Sequence, residues 1–143
     1  MQQKSVLNEN TKVHNPIIFF DGVCGLCNSF VNIIYKSDTN NLFRYSPLQG
    51  ETAKKYLPDL PNRPEEWSIV YVDELGIYME SDATLRILER LGGAWCLLSY
   101  FKFIPKNIRD FLYRLVAKHR YRIFGKYESC RIPDEEEKDR FLS

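Results

Sequence analysis

The sequence has little of what marks secreted, fibrous or membrane-spanning proteins. Its four cysteines in 143 residues are too few for a disulfide-stapled scaffold, and 7 glycines and 7 prolines exclude collagen-like and low-complexity chains. No apolar run approaches the roughly 18 residues of a membrane span, and residues 1–15 are polar, unlike a signal peptide. The 20 basic and 19 acidic residues give a net charge of only +1, so overall charge does not favour a nucleic-acid partner. We therefore expect a cytoplasmic protein in a reducing compartment.

The pattern of apolar residues predicts one α/β domain. With 44% hydrophobic residues the chain can bury a real core. Residues 1–15 are predicted to be a disordered lead-in, and residues 16–93 alternate in the order β-α-β-α-β-β-α. The predicted segments are strands at 16–20, 42–46, 67–72 and 77–80, helices at 24–36 and 51–57, and a helix with Ser81 or Asp82 as N-cap that ends at Gly92. The short connection between the last two strands requires them to run antiparallel.

Residues 94–143 are predicted to be a helical C-terminal extension packed on the same domain. A short apolar helix is predicted at 94–103, with Cys96 in the core. A longer helix follows Pro105, and its apolar residues on or near one face are Ile108, Leu112, Leu115, Val116 and Ile123. The acidic residues 134–139 are expected to form a solvated helix or a loose end.

The chemistry is predicted to lie in Cys24-Gly25-Leu26-Cys27, between the first strand and the first helix. This position places Cys24 at or near the helix N-cap, where unpaired backbone N–H groups and the helix dipole favour a thiolate. Cys27 lies one turn deeper and is expected to be the less exposed thiol. Cys24 then attacks a substrate disulfide, and Cys27 resolves the mixed disulfide. Gly25 permits the close approach of a partner backbone, and Leu26 offers an apolar contact.

Other interpretations of these residues remain open. A zinc site needs two more ligands, and Cys96 and Cys130 do not form the second C-x-x-C of a usual structural site. The cysteine pair can also be purely structural. Asp21 is either a turn residue at the strand-to-helix corner or a partly buried carboxylate that accepts the Cys27 proton.

Three weaker features also have two interpretations each. Ser81 and Asp82 are an ordinary helix start or a site for an anionic thiol, and the first is favoured. Residues 102–126 carry eight basic side chains against one acid, which favours a solvated helix face over a membrane or nucleic-acid surface. Cys130 is a small buried residue or, less favoured, a third redox thiol.

At Asp21-Gly22-Val23-Cys24-Gly25-Leu26-Cys27 the chain resembles the DCC family of predicted thiol-disulfide oxidoreductases, named for its Asp-Cys-Cys signature. The similarity continues at Ser81-Asp82-Ala83 and Leu85-Arg86-Ile87-Leu88, and returns at Tyr113-Arg114, Ala117, Tyr121-Arg122, Gly125 and Cys130-Arg131-Ile132-Pro133. The resemblance implies a thioredoxin/glutaredoxin-like sandwich with a helical C-terminal extension, usually bacterial. It carries over Asp21, Cys24 and Cys27 as signature residues.

The chain departs from thioredoxin-like enzymes just before the third sheet strand. There the resemblance implies a cis-proline that faces the cysteines, but the sequence reads Glu65-Glu66-Trp67-Ser68-Ile69, and Pro64 comes too early. We expect Trp67 or Ser68 to face the site instead, with altered pairing to a substrate backbone.

The sequence therefore predicts a thiol-disulfide oxidoreductase without a bound cofactor or metal. Its partner is a protein or low-molecular-weight disulfide, and electrons come from glutathione or another dithiol. The alternative is a thioredoxin-like binding module whose basic C-terminal helices dock a partner or membrane surface, with the cysteines regulatory or vestigial.

Overall fold

A mixed sheet of four short strands lies at the centre of the molecule. The structure, a computed structural model, describes residues 15–57, 67–125 and 134–142. The strands are β1 (Ile17–Phe20), β2 (Arg44–Pro47), β3 (Val70–Asp73) and β4 (Gly76–Met79), in the spatial order β2-β1-β3-β4. β1 runs parallel to β2 and antiparallel to β3, and β3 runs antiparallel to β4. The antiparallel pairing predicted for the last two strands is confirmed.

Helices cover both faces of this sheet. They are α1 (Gly25–Ser37), α2 (Glu51–Tyr56), α3 (Glu80–Leu91) and α4 (Lys106–Phe124), with a 3₁₀ helix at Gly93–Phe103. Successive side chains of β1 point to opposite faces. Ile18 and Phe20 pack with α1 and α3, whereas Ile17 and Phe19 pack with α2. The order β-α-β-α-β-β-α and the thioredoxin-like fold are therefore confirmed.

The start of α3 differs from the expected N-cap arrangement. Met79 occupies the N-cap position and contributes no capping side chain, because β4 continues directly into the helix. Ser81 and Asp82 lie in the first turn, and their side chains point to α4 instead. The Ser81 hydroxyl donates to Asp110, and Asp82 pairs with Arg109 at 3.2 Å and with Lys106 at 2.9 Å. The two residues join α3 to α4 rather than capping α3.

The segment predicted as a short helix at 94–103 forms 3₁₀ turns, and its buried residue is Ser99. Cys96, which the sequence placed in the core, is exposed. In 3₁₀ turns, side chains three residues apart eclipse each other, so the α-helical spacing does not predict which of them are buried. The expectation for Cys96 was wrong for this reason.

Much of the apolar face of α4 is exposed. The residues predicted on or near that face, Ile108, Leu112, Leu115, Val116 and Ile123, are all about half exposed or more. The buried residues of the helix are instead Asp110, which pairs with Lys106 of the same helix and accepts from Ser81 of α3, and Arg120, which pairs with Asp21. Of the 15 large apolar side chains that are exposed in the described parts of the chain, 12 lie between Leu97 and Phe124. Polar contacts, rather than an apolar stripe, attach α4 to the fold.

The end of the chain is docked on the sheet rather than loose. Phe141 forms a bridge to Tyr45 beside β2, and its ring stacks on the Tyr45 ring at 5.0 Å. Arg140 forms a buried ion pair with Asp38 at the end of α1. The acidic composition of residues 134–139 did not predict this docking, because the residues that dock, Arg140 and Phe141, follow the acidic run.

Within residues 15–57, 67–125 and 134–142, no helix combines the length and the hydropathy that a membrane crossing needs. The predicted lead-in lies almost wholly outside the described residues, and Cys130 lies outside them too.

Candidate active site

The sulfur of Cys24 lies at the N-terminus of α1. Cys24 is the N-cap residue, with extended backbone angles, and its Sγ accepts a hydrogen bond from the backbone N–H of Cys27 at 3.4 Å. An anionic sulfur at this position satisfies a helix N–H group that would otherwise lack a partner. The predicted position of Cys24 is confirmed.

The two cysteines have opposite pKa shifts. A hydrogen bond from the Cys27 thiol lowers the pKa of Cys24 to about 6, with help from the Cys27 backbone N–H and Arg120 and against the effect of burial. The same hydrogen bond, together with burial, raises the pKa of Cys27 well above its usual range. At neutral pH, Cys24 is therefore a thiolate and Cys27 a thiol that donates to it.

Cys24 is the more deeply buried of the two thiols, which reverses the expectation. Its exposed fraction is 0%, against 8% for Cys27. The end of α4 lies over this corner, where the Gly25 N–H donates to the Gly125 carbonyl oxygen at 3.2 Å. A Cβ at residue 25 would lie only 2.3 Å from the Phe124 carbonyl oxygen. Gly25 thus permits close backbone approach as predicted, but the approaching backbone is the chain's own.

A buried ion pair lies beside the cysteines. The Asp21 carboxylate pairs with Arg120 of α4 at 3.3 Å, and both side chains are 2% exposed. Tyr121 donates its hydroxyl to the same carboxylate, and Gln49 donates to it at 2.7 Å. Burial and the Asp21 hydrogen bond raise the pKa of Tyr121 to about 12, so Tyr121 remains a donor. Asp21 is fully buried and charge-paired rather than partly buried.

Sequence reasoning missed Arg120 as a member of the site. It follows Asp21 by 99 residues and was counted within a basic helix face. Its guanidinium also donates to the Trp67 carbonyl oxygen at 2.6 Å, which ties α4 to the segment before β3. The Tyr121-Arg122 similarity to the DCC family was the available signal, and it lies directly beside this residue.

A cavity of about 480 Å³ opens next to the motif. Of the predicted substrate-binding residues, Leu26 and Ser81 line it, together with Cys27. Trp67, Ser68 and Asp82 do not. The wall residue from the segment before β3 is Ile69, whose backbone N–H donates to the Tyr113 hydroxyl at 2.9 Å. Cys24 is absent from the wall, and Cys130 and Pro64 lie outside the described residues.

The part of the chain that the structure describes brings together no group of three or more His, Cys, Asp or Glu side chains of the kind that holds a metal ion.

Comparison with known proteins identifies the family. Residues 18–126 match the family model described as DCC1-like thiol-disulfide oxidoreductase. The chain is 37% identical to the uncharacterized protein YuxK of Bacillus subtilis (strain 168), over 92% of this chain and 96% of that one. It is 39% identical to a chloroplastic DCC family protein of Arabidopsis thaliana, over 82% of this chain and 69% of that one. No solved structure matches the chain. The chain belongs to the DCC1-like thiol-disulfide oxidoreductase family.

Proposed function

We propose that the protein exchanges disulfides through Cys24 and Cys27, with Cys24 as the nucleophile and Cys27 as the resolving thiol. The observation that carries this proposal is the thiolate–thiol pair at the N-terminus of α1, in which the pKa of Cys24 is lowered to about 6. A thiolate present at neutral pH reacts with disulfides, whereas a thiol does not. Membership of the DCC1-like family also supports a thiol-disulfide oxidoreductase role.

The proposed cycle begins with the reduced pair. The Cys24 thiolate attacks one sulfur of a substrate disulfide, the substrate S–S bond breaks, and one substrate thiolate leaves. Cys27 then loses its proton, and its sulfur attacks the Cys24 sulfur in the mixed disulfide. The second substrate thiolate leaves, and the Cys24–Cys27 disulfide remains. Two molecules of glutathione or one molecule of a dithiol restore the reduced pair and are oxidised to a disulfide, and a protein or a small molecule supplies the substrate disulfide.

Asp21 has two proposed parts in this cycle. Its carboxylate holds Arg120, whose positive charge lowers the pKa of both cysteines. The same carboxylate remains our proposed acceptor of the Cys27 proton during resolution, a step that requires its pairing with Arg120 to loosen. The two parts predict different kinetic effects when Asp21 is replaced.

A redox titration tests the proposed function directly. The purified protein is equilibrated in glutathione buffers, its thiols are trapped, and the products are mapped by mass spectrometry. We expect a reversible Cys24–Cys27 disulfide, a trapped mixed disulfide on Cys24 in the Cys27→Ser variant, and none in Cys24→Ser. Cysteines that never pair, or that pair with Cys96 or Cys130 instead, would contradict the proposal.

A second candidate function is a binding module for an anionic membrane surface. The observation in its favour is the outer surface of residues 93–125, defined by the exposed apolar side chains of the 3₁₀ helix and α4. The exposed charged residues in this stretch are all basic: Lys102, Arg114, Lys118 and Arg122. Exposed apolar side chains combined with basic ones are typical of helices that lie on anionic lipid.

Vesicle sedimentation tests this candidate. We expect the protein to sediment with vesicles of phosphatidylcholine and phosphatidylserine, less with phosphatidylcholine alone, and less as salt concentration rises. Replacing Lys118 and Arg122 with Glu should abolish the binding. Replacing Lys54 and Lys55 of α2 with Glu is the matched control, since it makes the same charge change elsewhere. Equal binding by both double variants, or no binding at low salt, would exclude the candidate.

A further inference from the structure

The cavity beside Cys27 has a wall made almost entirely of apolar side chains. They include Leu26, Phe30, Ile69, Leu85, Leu98 and Leu112. Its volume of about 480 Å³ lies in the range of small-molecule sites. α1, α3, the 3₁₀ helix and α4 all contribute to the wall, so the cavity lies where the C-terminal helices meet the thioredoxin-like part.

Each polar residue of this wall has at least one polar atom engaged with a protein group. Ser81 donates to Asp110, and Arg109 donates to Ser81 and to Asp82, each at 3.2 Å. Arg120 is held by Asp21 and by the Trp67 carbonyl oxygen. Thr84 donates to the Glu80 carbonyl oxygen at 3.3 Å, and Tyr113 accepts from the Ile69 N–H. The cationic side chains of the wall are therefore already paired with protein groups. A charged ligand would lose the hydration of its carboxylates or ammonium group in this cavity, which disfavours its binding.

One wall residue can do chemistry. Cys27 lines the cavity, and its backbone N–H and thiol both donate to the Cys24 sulfur behind it. A sulfur atom of a ligand in the cavity therefore lies next to the redox pair. The remaining body of that ligand contacts leucine, isoleucine and phenylalanine side chains.

We propose that this cavity binds the apolar body of a low-molecular-weight disulfide, with alkyl or aryl groups on its sulfurs, and presents the S–S bond to the cysteine pair. The inference rests on the proposed function, which it narrows to a substrate class. The Cys27 side chain turns aside to expose Cys24, the Cys24 thiolate bonds to one ligand sulfur, and the ligand S–S bond breaks. The proton of Cys27 passes by way of Asp21, its proposed acceptor, to the departing ligand thiolate. The Cys27 sulfur then bonds to Cys24, and the second ligand thiolate leaves. One disulfide is thus reduced to one thiol and one thiolate, while the protein dithiol is oxidised.

A homologous series of substrates tests the inference. The reduced protein is mixed with dimethyl, diethyl, dipropyl and dibutyl disulfide, and with hydroxyethyl disulfide and glutathione disulfide as polar comparisons. Each rate of protein oxidation is divided by the rate at which dithiothreitol reduces the same compound. We expect the ratio to rise about fourfold for each methylene that enters the cavity, and to be low for both polar disulfides. A ratio that is independent of chain length would overturn the inference.

Two tryptophan variants on one helix provide the matched comparison. Leu112 and Leu115 are both about half exposed on α4, but only Leu112 lines the cavity. Leu112→Trp should fill the cavity and lower the dibutyl disulfide rate about tenfold, and the hydroxyethyl disulfide rate by less. Leu115→Trp should leave both rates as they are. Equal effects of the two variants would contradict the assignment of the cavity.

Binding is measured separately from redox chemistry with dibutyl sulfide, a thioether without an S–S bond. It should raise the Tm of the reduced protein and of Leu115→Trp, but not that of Leu112→Trp. If no disulfide of the series oxidises the Cys24–Cys27 pair, the proposed function fails even where the thioether binds. If the pair is oxidised at rates that do not depend on chain length and the thioether does not bind, the assignment of the cavity is wrong. The proposed disulfide exchange by Cys24 and Cys27 then still stands.

Discussion

Replacing Cys27 with alanine is expected to raise the pKa of Cys24 from about 6 toward its ordinary value of 9.0. The hydrogen bond from the Cys27 thiol is the largest cause of the lowered pKa, and alanine cannot donate it. At pH 7 the thiolate fraction of Cys24 should fall from about nine-tenths to roughly one-hundredth if the shift is lost completely. The ultraviolet absorbance of the thiolate, followed against pH, measures this without requiring a reagent to reach a buried sulfur.

The sign of the pH dependence follows from the same shift. A lowered pKa means that Cys24 is ionised above about pH 6 and that disulfide exchange is lost as the pH falls through this value. The Cys27→Ser variant keeps a hydroxyl donor, so its midpoint should lie between those of the wild type and Cys27→Ala. Cys96→Ala removes an exposed thiol and should leave the midpoint unchanged. A midpoint near 6 in Cys27→Ala would assign the shift to the backbone N–H and Arg120 instead.

Much of the fold is readable in the sequence because the β-rich part follows simple rules. The run Ile17–Phe20 has four consecutive apolar residues, as a strand buried on both faces requires, and all four are buried. A turn of two residues between β3 and β4 permits only antiparallel pairing. Cys24 lies directly after this first strand, so its place at the start of α1 follows from the same pattern.

The residues that surround the cysteines could not be predicted from the sequence, because they come from the far end of the chain. Arg120 reaches Asp21 from α4 across 99 residues, and Gly125 accepts from Gly25 across a similar span of chain. The periodicity of α4 identifies an apolar face, but it cannot say whether that face points inward. In this protein, ion pairs hold the polar face against α3 and the site, so much of the apolar face is left exposed. The division of the chain at residue 93, its cytoplasmic location and a redox role for Cys130 stay predictions.

The second large effect is expected at the buried ion pair. Asp21→Asn keeps the shape of the side chain but leaves the Arg120 guanidinium buried without its counter-charge, since both groups are 2% exposed. Removing one partner of a buried pair typically lowers the free energy of unfolding by about 3–5 kcal/mol. The pKa of Cys24 should fall further at the same time, because the negative charge of Asp21 raises it. Denaturant unfolding and the thiolate titration measure the two effects on one sample.

A second buried pair in the molecule separates the chemical effect from the loss of stability. Asp38 and Arg140 also form a buried ion pair, and neither is among the groups that shift the pKa of Cys24. Asp38→Asn should therefore destabilise the fold to a similar extent and leave the thiolate titration unchanged. In Asp21→Asn/Arg120→Met no buried charge of this pair remains, so part of the lost stability should return.

If Asp21 also accepts the Cys27 proton, release of the mixed disulfide should slow in Asp21→Asn although more of Cys24 is ionised. Unchanged release of the mixed disulfide would show instead that Asp21 acts only through its charge and its pairing with Arg120.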